Sequence, residues 1–336
     1  MSTANSSTQS SAANWLRSTL RRVTDMREFN VILAVLALSA VLSVGSDAFL
    51  TVPNVMSVMR AFSMTAIMAI GQTLVILTAG IDLSVGSTMG LAGLLTAILI
   101  RDGYPISMAV LVGLLTGAAM GASNGLMITK LQLPPFIATL GTLSIGRGLM
   151  YWITHGWPVT LSLSNVAFLE LGQGYIGPVP VPVVLMLLLV AVFSIFMGRT
   201  YIGRQVYAVG GNEEASRLSG IRVDGIKLMV YTLSGVLSAI AGLILLARMV
   251  SAQPMAGLGY ELPVIAASVI GGTSLMGGEG TVLGCLMGAA LMGVLTNGMV
   301  LMNVDTYAQQ AVTGAVIILA VAIDQYRQRR RASASF

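Results

Sequence analysis

Long apolar runs alternate with short polar breaks along the chain, and the runs come at membrane length. Read in order, they predict spans at roughly 29–45, 60–79, 84–100, 106–128, 136–154, 180–198, 227–248, 261–276, 281–301 and 307–323. Each approaches the ~20 residues that a helix needs to cross the hydrocarbon core. The pattern predicts an all-α polytopic membrane protein of about ten transmembrane helices. The fourth span sets Gly113, Gly117, Gly121 and Gly125 at four-residue spacing, and Gly284 and Gly288 repeat the device in the ninth. Rows of small residues let helix backbones approach, so packing is the expected role, ahead of contact with a solute.

A polar island, Ala208 to Val223 (AVGGNEEASRLSGIRV), interrupts this pattern. Asn212 is placed to cap a helix, Glu213 and Glu214 put negative charge at its positive end, and Gly220 can take the left-handed conformation that ends it. That describes about two turns. Glu213 and Arg217 are four apart and can pair, while Ala215 and Leu218 fall on another side. A small helix with its own start and stop signals, set between two spans, suits a surface held by something outside the bilayer; an ordinary solvated loop is the plainer alternative. Two further breaks resemble each other. Gly80-Ile-Asp-Leu-Ser-Val-Gly86 and Gly272-Thr-Ser-Leu-Met-Gly-Gly278 each have glycine at both ends and leucine fourth, which suggests a divergent parallel repeat relating spans two to four with spans eight to ten.

Composition removes the alternatives to a membrane protein. The chain has 336 residues, 55% hydrophobic and 9% charged, with mean hydropathy +0.86, whereas soluble domains carry about 25% charged residues. Cys285 is the single cysteine, so no disulfide and no cysteine metal site can form within one chain. The single histidine, His155, sits beside Trp157 at a span end, where interfacial anchoring is expected before catalysis. No Gly-x-x-x-x-Gly-Lys-Ser/Thr loop surrounds either lysine, Lys130 or Lys227, and neither Gly-x-Ser-x-Gly nor His-Glu-x-x-His occurs. The expectation is a chain that is not an enzyme and binds no cofactor or metal of its own.

Charge sets the orientation. With both termini cytoplasmic, fourteen of the 18 basic residues fall inside: Arg17, Arg21, Arg22, Arg27, Lys130, Arg199, Arg204, Arg217, Arg222, Lys227, Arg327, Arg329, Arg330 and Arg331. These clusters flank spans, so they suit anionic membrane lipid and not nucleic acid. Residues 1–28 read as a cytoplasmic or interfacial segment with no cleavable signal, polar to Ala13 and then basic and amphipathic. Residues 29–325 read as the transmembrane domain and 326–336 as a basic cytoplasmic tail. The island then faces the cytoplasm. Outside, the longest connection is His155 to Val179, with room for a small helix at Asn165 to Leu171.

Ionisable residues in or beside spans are Arg60, Asp82, Arg147, Glu261 and Glu279. Charge at bilayer centre costs about 2.5–3.5 kcal/mol on insertion scales, so they should face the bundle interior, water or a span end. Asp82 can cap the helix beginning near Ser84 or take part in transport. Gln72 and Asn124 can hydrogen-bond sugar-like hydroxyls along a pathway or bind helices together.

Four ordered segments carry a resemblance: AGIDLSVGS at 79–87, PPFIATLGT at 134–142, the island, and SAQPMAGLGYELPVIAASVIGGTSLMGGEG at 251–280. Together they resemble the permease subunits of bacterial ABC sugar importers, in the branch of ribose, xylose, galactose and autoinducer-2 uptake, and the ribose permeases most. The resemblance covers about residues 29 to 325. It implies an inner-membrane subunit translocating a monosaccharide, ribose foremost, delivered by a periplasmic sugar-binding protein. It implies a cytoplasmic ABC ATPase carrying ATP and Mg, and a second permease chain, identical or paralogous. It makes the segment at about 212–221 the coupling helix, so that Asn212, Glu213, Glu214, Ala215, Arg217, Leu218, Gly220 and Ile221 would engage the ATPase. An ion-coupled secondary transporter, or a permease for another sugar, a sugar alcohol or autoinducer-2, is the competing expectation.

Overall fold

The computed structural model describes residues 27–162 and 166–334. It is mostly helical. In chain order the helices are α1 Arg27–Gly45, α2 Val52–Leu77, α3 Val85–Arg101, α4 Ile106–Thr129, α5 Pro135–Thr154, α6 Val166–Gln173 and α7 Val181–Arg199. They continue as α8 Tyr201–Gly211, α9 Glu213–Leu218, α10 Val223–Met249, α11 Glu261–Ile270, α12 Val282–Leu301 and α13 Thr306–Ala334. Five of these, α2, α4, α7, α10 and α12, are long and apolar enough to cross a membrane, while α1, α3 and α11 are shorter apolar helices. The basic amphipathic stretch expected before Arg27 lies outside the described residues.

Two short strand pairs were not anticipated by the all-helical reading. β1 (Val159–Thr160) pairs antiparallel with β4 (Ser251–Ala252), and β2 (Tyr175–Ile176) with β3 (Val179–Pro180). Helix α6 occupies the place predicted for a small helix.

Several boundaries differ from the sequence reading, each for a local reason. Helix α2 starts at Val52 instead of 60, because Pro53 supplies a preset φ and lacks an N–H that would be unpartnered there. Helix α11 stops at Ile270 instead of 276. Gly272 takes φ +92°, and the Thr273 and Gly272 amides donate to the Ser268 and Val269 carbonyls at 3.1 and 2.9 Å, a Schellman closure. Residues 201–211, which include the first four of the island, form helix α8, and α13 continues through most of the basic tail.

Helix α10 is the axis of the bundle, packing against α2, α3, α4 and α6, with residues from Val223 to Ala247 buried along its length. Its seam with α4 is built from glycine. A Cβ on Gly117 would strike the Gly235 carbonyl, one on Gly235 would strike that of Gly117, and Gly121 meets the Tyr231 carbonyl in the same way. Helix α12 meets α11 through Gly284 and Gly288, against the Gly271 and Ala267 carbonyls. Both glycine rows therefore pack helices, as expected. Because backbone cannot retreat as a flexible side chain can, Gly235→Leu should cost about 2–3 kcal/mol of stability. Gly141→Leu, with open space around it, should stay within about 0.5 kcal/mol. Thermal unfolding of the detergent-purified chain compares the two.

Candidate functional site

The island is built in two pieces. Thr200 caps α8 by accepting from the Gly203 amide at 3.0 Å, and α8 buries Gly203, Val206 and Val209 on one face. That face rests on both helix breaks. A Cβ on Gly210 would strike the Leu77 carbonyl and crowd the Gly278 amide, and Gly278 itself donates to Leu77 O at 3.0 Å. Tyr207 donates its hydroxyl to the Gly280 carbonyl at 2.9 Å. Burial pushes the Tyr207 phenol above its ordinary range, so it remains a donor. The two glycine-flanked turns compared in the sequence thus lie side by side beneath α8.

Helix α9 follows after a single residue. Asn212 accepts from the Ala215 amide at 2.9 Å. At the other end Gly220, at φ +83°, and Ile221 donate to the Arg217 and Ser216 carbonyls, each at 3.1 Å, the same closure that ends α11. Arg217 bridges Glu213 at 3.4 Å and Asp224 at 3.2 Å, and Lys227 meets Glu213 at 2.6 Å. These charges face a polar cavity of about 400 Å³ shared with the α4–α5 turn at Gln132 to Pro135. Ser216 points inward, whereas Glu214, Ala215 and Leu218 point out, Leu218 at 84% exposure. The eight predicted residues therefore form one unit with an internally paired side and a free side. Asp224 and Lys227 belong to it and were missed as members; Lys227 was counted with the cytoplasmic charges at the first position of a span.

Gln72, Asp82 and Asn124 are also brought together, away from the island surface, and all are buried. Asp82 accepts on one oxygen from the Ser84 amide at 2.9 Å and the Ser84 hydroxyl at 2.6 Å, and on the other from Ser234 at 2.8 Å. The Gln72 amide, oriented to satisfy both its groups, donates to the Asp82 carbonyl at 3.0 Å and accepts from the Asp82 N–H at 3.2 Å. Asn124 donates to Ser84 at 2.8 Å and accepts from Thr142 at 2.6 Å. The network ties α2, α3, α4, α5 and α10 at one point. Asp82 supports the start of α3 from two residues before its capping position, which Ser84 occupies. Ser234 and Thr142 could not have been singled out, since a lone hydroxyl in a span is usually bonded to its own helix.

The remaining charges are spread along the bundle: Arg60 toward the end opposite the island, Arg147 and Glu261 at the depth of Gly86, and Glu279 in the turn beneath α8. Arg60 lies over the Tyr175 ring at 4.7 Å, and Arg147 donates to the Ala256 carbonyl at 2.8 Å with Glu261 at 3.9 Å. Among the described residues no group of three or more metal-ligating side chains gathers.

The profile of the family described as branched-chain amino acid transport system / permease component matches residues 54–321. The ribose import permease protein of Haemophilus influenzae is 44% identical, over 88% of this chain and 92% of that one. That of Bacillus subtilis is 42% identical, over 89% and 93%. The xylose transport system permease protein of Escherichia coli is 36% identical, over 91% and 93%. Among solved structures, an ABC transporter of metal-chelate type in an inward-facing conformation has a TM-score of 0.51 at 15% identity, covering 89% of this chain and 98% of that one; the likeness is one of fold.

The cap makes a local prediction. Asn212→Ala should remove about 1 kcal/mol of helix-end stability. Hydrogen exchange at the Ala215 amide should then quicken about fivefold, with the amides of α10 unchanged.

Proposed function

The chain belongs to the branched-chain amino acid transport system / permease component family, and we propose that the solute it moves is a monosaccharide, ribose foremost. It is an integral multi-pass membrane protein and a translocation subunit, not a catalyst. In our reading it lies in a bacterial inner membrane and crosses it ten times, with both termini in the cytoplasm. The crossings run through α1 to α5, α7, α10, the turns at 253–260 continued by the short α11, then α12 and α13. A periplasmic binding protein delivers the sugar. A separate ATPase holds ATP and Mg, so this chain binds no cofactor. A second permease chain completes the pathway.

What carries the mechanism is the seating of α9. Its Glu214, Ala215 and Leu218 edge is free in water, while α8 anchors it to both helix breaks through Gly210 and Tyr207. A partner that grips α9 differently in two nucleotide states shifts the permease between two conformations by its difference in affinity. The short, capped α9 can move as a unit, and α8 delivers that movement to the turns at 77–84 and 271–281. Ribose is favoured over a branched-chain amino acid by the relatives at 42–44% identity over nearly nine tenths of the chain.

The test is transport by the complete assembly. Ribose uptake should stop on ATP depletion and survive a proton uncoupler; the reverse would overturn an ATP-driven importer. Glu214→Arg and Leu218→Asp should insert normally yet lower uptake at least about tenfold, the scale of one interface hot spot, with loss of sugar-stimulated ATP hydrolysis. Normal stimulation in both would remove the role given to α9.

A further inference from the structure

After β4 the chain does not resume a helix. Residues 253–260 run as turns, with i to i+3 hydrogen bonds such as Ala256 N–H to Gln253 O at 2.9 Å. This segment passes inward from the strand pair. Gly257 packs against Gly86 so closely that neither admits a Cβ, and Ala256 meets Gly90. Gly86 lies fifteen residues before Arg101, the far end of α3, which places Gly257 about 22 Å below it. In the span assignment proposed above this is non-helical backbone at membrane depth. Such backbone is tolerated only where protein buries it or where it borders a watery cavity.

One side is buried by α3 and α5. The other, at Leu258, Gly259 and Tyr260, borders a cavity of about 430 Å³ between α2, α11, α12 and α13. Its polar lining is Ser57, Thr65, Tyr260, Thr296, Asn297 and Thr313, with no Asp, Glu, Lys or Arg among the described residues. Thr96, Thr116 and Thr232 return their hydroxyls to carbonyls of their own helices. Ser57, Thr65, Tyr260 and Thr313 have no such bond among the described residues. Free hydroxyls beside the apolar surfaces of Phe62 and Tyr260, without fixed charge, suit a neutral polyhydroxylated ring. They offer nothing to the ammonium or carboxylate of an amino acid, whose burial without a partner is costly.

We propose that this cavity, entered from the α2–α12 end opposite the island, is a sugar-binding station within a single permease chain. The proposal rests on the sugar reading of the preceding subsection and adds the place where the sugar dwells.

The native cysteine, Cys285, is fully buried, so an introduced thiol can be labelled selectively. In the full-length chain in nanodiscs, Ser57→Cys should react with a water-soluble methanethiosulfonate, and saturating ribose should slow the reaction at least about fivefold, while leucine should not. In the complete transporter, Thr65→Val should raise the KM for ribose uptake about fivefold, one hydrogen bond's worth, at unchanged maximal rate and membrane level. A merely structural role would lower the maximal rate or the amount inserted. A thiol that never reacts, or reacts equally fast with and without ribose while the wild-type transporter imports ribose, overturns the cavity assignment. Slowing by leucine alone overturns it too. If the wild-type transporter imports no ribose, the sugar reading itself fails and the station falls with it.

Discussion

Inside a membrane bundle, a polar group withdrawn from water must find a partner in the protein, and the carboxylate of Asp82 is where that requirement is met most completely. The chain leaves the helical ladder after Leu77 and re-enters it at Val85, within the bundle. Both main-chain groups of Asp82 are taken by the Gln72 amide, and its side chain accepts three hydrogen bonds with no ion pair among the described residues. Hydrogen bonds are stronger where the dielectric is low, and leaving a buried polar group without them is correspondingly costly. The break between α2 and α3 is therefore a fixed joint and not a loose turn. Because Asn124 and Thr142 extend the network to α4 and α5, and Ser234 to α10, five helices share one registration point.

The glycine seam depends on that point and reinforces it. Ser234 and Gly235 are neighbours on α10: one binds Asp82, the other touches Gly117 backbone to backbone. A hydrogen bond fixes rotation of α10, while the absence of Cβ atoms fixes its distance from α4. Dispersion between closely approaching backbones supplies association where lipid offers no hydrophobic advantage. The consequence is a rigid block of α2, α3, α4, α5 and α10. The remaining contacts of α11 to α13 with it run through shorter or interrupted elements, among them the ten-residue α11.

How much of this could be read in advance follows from the range of each interaction. Signals contained within a few residues were legible: the Asn212 cap, the Gly220 stop, the Glu213–Arg217 pair and the glycine rows, and five of the ten predicted runs form helices long and apolar enough to cross a membrane. Helix α8 was hidden because YIGRQVYAVGG holds three glycines, which argue against a helix interior. Here Gly203 and Gly210 lie against backbone with no room for a side chain, while Gly211 has open space beside it. The early stop of α11 was written in Gly271-Gly272 but was masked by the apolar residues after it. Gln72, Asp82 and Asn124 were each noticed singly. Their union required partners up to 152 positions apart in sequence, as from Asp82 to Ser234, and periodicity carries no information at that range.

The same distinction between internal and external pairing explains how one short helix can be both well anchored and available. Charges on α9 are spent inside the chain: Glu213, Arg217, Asp224 and Lys227 satisfy one another. Exposed ion pairs of this kind add little stability individually, but linked in a network and joined to a capped helix they hold its orientation. Glu214, one residue on, makes no ion pair among the described residues, and it shares the open side with Ala215 and Leu218. A leucine left at 84% exposure on a six-residue helix between two membrane-length helices differs in setting from the exposed leucines of α4 and α7, which lie within such helices. What the island offers a partner is therefore a small apolar edge marked by one unpaired carboxylate. The charges beside it set the angle at which that edge is presented, so in the coupling role proposed for α9 recognition and positioning would fall to different residues of the same turn and a half of helix.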